Sequence, residues 1–154
     1  MNKRFNIRVY GILFNDNNEI LVSDEFRWNK FFTKFPGGGL EWGEGLQDCL
    51  KREFKEELNL EITVHELFYI TDFFVQSAWL ETDQIISVYF KIHYAQENNL
   101  QFEPYTNPFY NEQERYRWVK WSDITEDLFT FPIDKLVGGK LHEDWLKYKQ
   151  QHHS

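Results

Sequence analysis

The stretch that decides the fold runs from residue 38 to residue 60 and reads GGLEWGEGLQDCLKREFKEELNL. Apolar residues recur in it every four positions, and this spacing predicts a helix with one apolar face. They are Leu46, Leu50, Phe54 and Leu58. Pro36 and the glycines at positions 37–39 predict a loop before the helix, and Asn59 marks its expected end.

Three glutamates share one side of the predicted helix. Glu53 and Glu57 are i,i+4 neighbours, and Glu56 lies within about 60° of Glu53 on a helical wheel. They overlap the edge of the apolar face, so partial burial would raise their pKa values unless a cation compensated their charge. A divalent metal would do so. The alternative is an ordinary charged surface, with these glutamates paired to Lys51, Arg52 and Lys55.

The residues that flank the glutamates favour the metal. Gly38, five residues, Glu44, seven residues and then REFKEELNL from position 52 resemble the Nudix box, G-x5-E-x7-R-E-U-x-E-E-x-G-U, where U is a bulky apolar residue. Asn59 stands where the family has glycine, and it is the residue that best replaces glycine at a left-handed helix end. Six fixed polar positions would match by chance with a probability of order 10⁻⁵.

The resemblance implies an α/β fold, the Nudix α/β/α sandwich with a mixed central sheet, as a single domain over residues 1–154. It implies that Glu53, Glu56 and Glu57 bind Mg²⁺, for which Mn²⁺ can substitute, with a further ligand from the backbone of Gly37 or Gly38. Glu53 is then the candidate for activating the attacking water. Two more residues would support the catalytic group, Glu44 and Arg52, with Arg52 holding the loop that carries Glu44 against the helix.

Candidate site residues also lie outside the box. Glu112 and Glu114 precede a predicted strand, in a region from which Nudix enzymes often bring another acidic residue to the metal; solvated loop charges are the equal alternative. Phe32, Phe74 and Tyr105 are aromatic candidates for stacking on a base or sugar, because aromatic faces bind other π systems.

The rest of the chain alternates β-rich runs with turn residues. Residues 5–14 and 20–22, joined by Asn and Asp at positions 15–18, predict a β-hairpin. Further strands are predicted at residues 31–35, 62–75, 84–94 and 115–121, and a last helix at residues 141–151.

Composition excludes several classes of function. The 154 residues carry a formal charge of −8 and no long basic run, which argues against a duplex nucleic acid as partner. No apolar run approaches the roughly 20 residues that span a bilayer, and the single cysteine, Cys49, cannot form an internal disulfide. We therefore expect a cytoplasmic protein, monomeric or homodimeric, with a small-molecule nucleotide as its partner.

The resemblance implies a magnesium-dependent hydrolase that cleaves a diphosphate linkage in a nucleoside diphosphate derivative. A nucleoside triphosphate pyrophosphohydrolase is favoured, because residues 75–78 carry neither the proline typical of ADP-ribose branches nor the tyrosine typical of dinucleoside polyphosphate branches. An ADP-ribose or nucleotide-sugar pyrophosphatase is one alternative. A non-catalytic ligand sensor and an isomerase with a catalytic cysteine are two others; retention of every box carboxylate and the position of Cys49 inside the box helix argue against them.

Overall fold

The computed structural model describes residues 2–95, 99–103 and 113–152. The contacts form two compact units, the described parts of Met1–Leu13 with Pro36–Asn98 and of Phe14–Phe35 with Asn99–Ser154. The elements are, in chain order, β1 (Arg4–Leu13), β2 (Glu19–Arg27), β3 (Lys30–Lys34), β4 (Gly37–Gly39), α1 (Leu46–Leu58), β5 (Thr63–Ile70), β6 (Asp83–His93), β7 (Gln113–Lys120) and α2 (Pro132–His152).

The first unit is built on a four-stranded mixed sheet in the order β4-β1-β6-β5. Strand β1 runs parallel to β6 and antiparallel to β4, while β5 pairs antiparallel with β6. Helix α1 packs against β1 and β4. Its Phe54 ring lies over Gly11 of β1, where a Cβ would clash with the ring, so the glycine permits close contact between helix and sheet.

Both ends of α1 have local stop signals. At the start, the Asp48 carboxylate accepts a hydrogen bond from the Gly45 N–H at 3.1 Å. At the end, Asn59 adopts a left-handed conformation with φ 51° and ψ 39°, and its N–H donates to the Lys55 carbonyl at 3.0 Å. The predicted helix and its end at Asn59 are confirmed.

The second unit holds a three-stranded antiparallel sheet in the order β3-β2-β7. Trp28 and Asn29 connect β2 to β3 with φ values of 52° and 60°, the geometry of a type I′ hairpin turn. Phe35 stacks on Phe129 at 4.3 Å, and Trp121 of a short 3₁₀ turn donates from Nε1 to the α2 backbone at 2.9 Å. In the described residues, neither α1 nor α2 is long and apolar enough to cross a membrane.

The α/β class and the mixed central sheet are confirmed, and three element predictions are wrong. Residues 5–14 and 20–22 do not form a hairpin, because β1 pairs with β4 and β6 whereas β2 pairs with β3 and β7. The predicted glycine loop is the short strand β4. The last helix begins at Pro132 and not at residue 141; Pro suits a first helical position, and Gly138 inside the helix gives space to the Phe129 ring.

Candidate metal and catalytic site

Glu53 is the glutamate that α1 places most firmly. Its side chain is only 13% exposed, and its carboxylate lies directly against the Cα of Gly38 in β4. A Cβ at position 38 would overlap that carboxylate, so a glycine is required there for steric reasons. Gly38 pairs with Val9 in the β1–β4 register, which fixes the sheet edge beneath Glu53.

Arg52 connects the loop before the helix to the glutamates. Its Nε and Nη2 donate to the two carboxylate oxygens of Glu44 at 3.0 and 2.8 Å, a bidentate ion pair. Its Nη1 lies 3.0 Å from Glu53 and 3.3 Å from Glu56, and its Nη2 also donates to the Gly39 carbonyl at 3.1 Å. One guanidinium therefore holds the Glu44 loop, the edge strand and the helix together.

The ion pair of Arg52 and Glu44 has a strong effect on both groups. Hydrogen bonds from Arg52, and then one from the Glu41 N–H, lower the pKa of Glu44 from an ordinary 4.5 to about 2. Hydrogen bonding to Glu44 raises the pKa of Arg52. The pair is therefore fully ionised at neutral pH.

The Glu44→Gln variant is expected to be less stable than the wild type at pH 7, by an amount that shrinks as the pH falls from about 4.5 towards 2. The pKa of Glu44 is lower in the folded chain than its ordinary 4.5, so ionisation stabilises the folded state above pH 4.5 and stops doing so near pH 2. Urea unfolding of both proteins across this range, in buffer with a chelator, measures the difference. A difference that stays constant over the range would contradict the assignment.

Glu56 and Glu57 differ from Glu53 because they are exposed, Glu56 by 61%. The predicted partial burial of the acidic group therefore holds for Glu53 alone. No three His, Cys, Asp or Glu side chains in the part of the chain that the structure describes lie close enough together to hold a metal ion. The physical reason is that the Arg52 guanidinium already contacts Glu53 and Glu56.

The donor chemistry of these residues nevertheless fits magnesium. All the side-chain donors are carboxylate oxygens, the ligands that Mg²⁺ prefers. Glu53 is held at the sheet edge by its contact with Gly38, while the exposed side chains of Glu56 and Glu57 can change rotamer at low cost. The structure thus assembles one ligand at the sheet edge and leaves two next to it on the helix surface.

Arg8 of β1 also lies at this edge, and the sequence analysis did not identify it. Its Nε donates to the Tyr10 hydroxyl at 3.1 Å. Burial by itself would lower the pKa of Arg8, but Tyr10, together with the nearby Glu53 carboxylate, outweighs burial and raises it. The available signal was an arginine inside the otherwise apolar run of residues 5–14, where a cation needs a specific reason to be half-buried.

Cys49 is buried, and its Sγ lies 3.5 Å from the Gly39 carbonyl. Burial, and then the Glu44 carboxylate, raise the pKa of the thiol to about 12. Because the thiolate is the nucleophilic form, this environment argues against a catalytic cysteine.

The candidates outside the box have different outcomes. Glu114 belongs to the second unit, where it accepts a hydrogen bond from Ser23 at 2.6 Å and lies 3.9 Å from Lys34. Its metal role stays a prediction. Glu112 and Tyr105 lie outside the described residues.

The two remaining aromatic candidates are of opposite kinds. Phe32 is 6% exposed and stacks on Phe131 at 5.3 Å, so its expected role in stacking on substrate is wrong: the ring is part of the core of the second unit. Phe74 is 69% exposed and lies beside a cavity of about 300 Å³ that Arg4 and Phe5 also line. Its role in substrate binding stays a prediction.

The fold and the site together define a mixed α/β protein that carries a glutamate-rich helix against a glycine strand. The family model described as the NUDIX domain matches residues 4–137, and the chain belongs to the Nudix family.

Individual relatives agree with this membership. A stretch of the chain is 32% identical to an mRNA-decapping protein of Variola virus, over 45% of this chain and 38% of the viral protein, so the chain spans about two fifths of that relative's length. A MutT structure from Methanosarcina mazei has a TM-score of 0.65 at 19% identity and covers 96% of this chain and 99% of its own. A MutT structure from Aliivibrio salmonicida or Vibrio cholerae has a TM-score of 0.57 at 26% identity, covering 92% and 99%.

These comparisons indicate a hydrolase that acts on pyrophosphate bonds. The Nudix family acts on small nucleotide-derived substrates and generally uses divalent metals, typically Mg²⁺.

Proposed function

We propose that this protein is a magnesium-dependent hydrolase of nucleoside triphosphates, which releases pyrophosphate and a nucleoside monophosphate. The observation that supports it most is the position of Glu53, whose carboxylate lies on Gly38 and is joined through Arg52 to Glu44. A ligand sensor on the same fold would have no need for this arrangement. Here every carboxylate of the box is present.

Each residue has a distinct part in the proposed reaction. Glu53, Glu56 and Glu57, with the backbone at Gly38, would hold the magnesium. When bound, magnesium neutralises phosphate charge and lowers the pKa of its water. Glu53 accepts a proton from the attacking water at a carboxylate oxygen, and Arg52 keeps that carboxylate in place.

The preference for a triphosphate has two supports. Residues 75–78 read VQSA and lack the proline and tyrosine that mark two other branches. Two of the structural relatives given above are MutT proteins, and their likeness to this chain covers 92% and 96% of it. A protein with a net charge of −8 also requires cations before a polyphosphate can approach its glutamates.

The proposal predicts that turnover of nucleoside triphosphates requires a divalent cation. Purified protein is incubated with the common triphosphates, ADP-ribose and a nucleotide sugar, with identification of the products. We expect pyrophosphate and monophosphates from several triphosphates, no turnover in excess chelator, and recovery with Mg²⁺ or Mn²⁺. Turnover confined to ADP-ribose or the sugar nucleotide would overturn the substrate assignment, and undiminished turnover in chelator would overturn the metal assignment.

Capped RNA is a second candidate substrate, because the matching viral relative is a decapping protein. A cap also contains phosphoanhydride linkages. The net charge of −8 argues against affinity for a long RNA, so we place this candidate second. Adding a capped oligoribonucleotide to the same assay distinguishes the two, since preferential cleavage of the cap over free triphosphates would reverse their order.

A further inference from the structure

Arg8 lies beside the all-glycine edge strand. In the register of β1 with β4, Arg8 pairs with Gly39 and Val9 pairs with Gly38. A Cβ built on Gly39 would lie 3.3 Å from Arg8 Nη1, so the guanidinium occupies the space next to the side-chain position of residue 39. The neighbouring residue, Gly38, contacts the Glu53 carboxylate.

The stem of this arginine is held in place. The Tyr10 hydroxyl accepts the hydrogen bond from Arg8 Nε at 3.1 Å, and the Tyr10 ring stacks on Tyr89 at 5.1 Å. Tyr89 is fully buried. The anchor therefore rests on the core of the first unit and fixes one edge of the guanidinium, which leaves its two terminal nitrogens as the remaining donors.

No carboxylate pairs with Arg8 among the residues that the structure describes. Two other arginines of the same unit have such partners: Arg4 pairs with Asp83 at 2.8 Å and Arg52 with Glu44 at 2.8 Å. A half-buried cation without a paired anion is costly in a stable fold. Its position is explained if an anion from solution completes the pair.

The nearby Glu53 identifies where that anion comes from. Glu53 acts electrostatically on Arg8, and their contacts on β4, at Gly38 and Gly39, are adjacent in the chain. A polyphosphate attacked at the glutamates would therefore have another of its phosphates near the guanidinium. The planar guanidinium fork binds two oxygens of one phosphate, a geometry that lysine cannot reproduce.

We propose that Arg8 binds a phosphate of the substrate's polyphosphate chain through its terminal nitrogens, and that Tyr10 is a positioning residue that orients it. This inference rests on the proposed function and adds a substrate contact outside the Nudix box. Because Arg8 is proposed to bind the substrate rather than the reacting water, its loss should affect KM far more than kcat.

The test compares four variants by steady-state kinetics and by calorimetric binding of α,β-methylene-ATP with Mg²⁺. Arg8→Met is expected to raise both KM and the Kd of the analogue about tenfold to a hundredfold, the scale of a charged hydrogen bond, with kcat within about threefold. Arg8→Lys should recover part of the affinity, and Tyr10→Phe should weaken binding by a smaller factor. The exposed Lys3→Met removes the same charge next to β1 and should change neither constant.

Unchanged KM and Kd in a folded Arg8→Met protein, or a loss confined to kcat, would overturn the inference. If Arg8→Met does not fold, Arg8→Lys keeps the charge and must still bind the analogue more weakly than the wild type. Failure of the proposed function is a separate result: the wild type would then hydrolyse no triphosphate, while the calorimetric comparison would still report whether Arg8 contributes to phosphate binding.

Discussion

Replacing Glu53 with glutamine is expected to lower kcat at least about a hundredfold, the scale of losing a general base or a metal ligand. The substitution keeps the shape of a side chain that is only 13% exposed and packed on Gly38, so the fold should persist while the charge is lost. The measurement is kcat with saturating Mg²⁺ and triphosphate, together with a thermal melt to establish folding.

Glu61→Gln is the matched control for this variant. Glu61 follows the same helix, is 83% exposed and pairs with Lys55 at 3.1 Å, away from the Arg52 cluster. It loses the same charge and should retain wild-type kcat. Near-full activity in a folded Glu53→Gln protein would show that neither the metal role nor the proton role belongs to this residue.

Gly38→Ala should reduce activity almost as severely without changing any charge. The new methyl group would overlap the Glu53 carboxylate and push it from the sheet edge, and displacing a reacting group by about 1 Å can cost a hundredfold in rate. The overlapping atoms are at the end of a flexible side chain, so we expect the free energy of unfolding to fall by only about 1–3 kcal/mol. Kinetics and urea unfolding of the same sample measure both effects.

A double variant shows whether the two substitutions act through one group. If Gly38→Ala works by displacing the Glu53 carboxylate, then adding it to Glu53→Gln should cost little further activity, whereas losses that multiply would contradict this explanation. Gly139→Ala is the control for adding a methyl group, because its Cβ would meet the Glu126 side chain at an ordinary 3.4 Å. It should leave kcat unchanged.

The sequence predicted the helix that carries the site because its signals are local. A repeat of four residues sets the buried face of α1, and Asn59 closes the helix in the left-handed conformation expected of it. The spacing from Gly38 to Leu60 also predicted which side chains meet, since Arg52 does contact Glu44 and Glu53.

Partner choice between strands was beyond local reasoning. The Asn-rich turn after β1 looked like a hairpin connection, yet each flanking strand completes a different sheet, a decision that depends on pairing with residues far along the chain. Residues 37–39 contain only glycine and gave no strand signal, although β4 pairs with β1. Arg8 escaped notice because its importance comes from a glycine 31 positions away that leaves space for its guanidinium.

The environment of Cys49 has a practical consequence for fluorescence studies. It is the chain's only cysteine, and its buried thiol, with a pKa of about 12, stays protonated at the pH used for maleimide coupling. A cysteine introduced at an exposed position such as Glu61 would therefore take up a single dye in the otherwise native sequence. Distances and motions could then be followed by fluorescence without first replacing a residue that packs beneath Arg52.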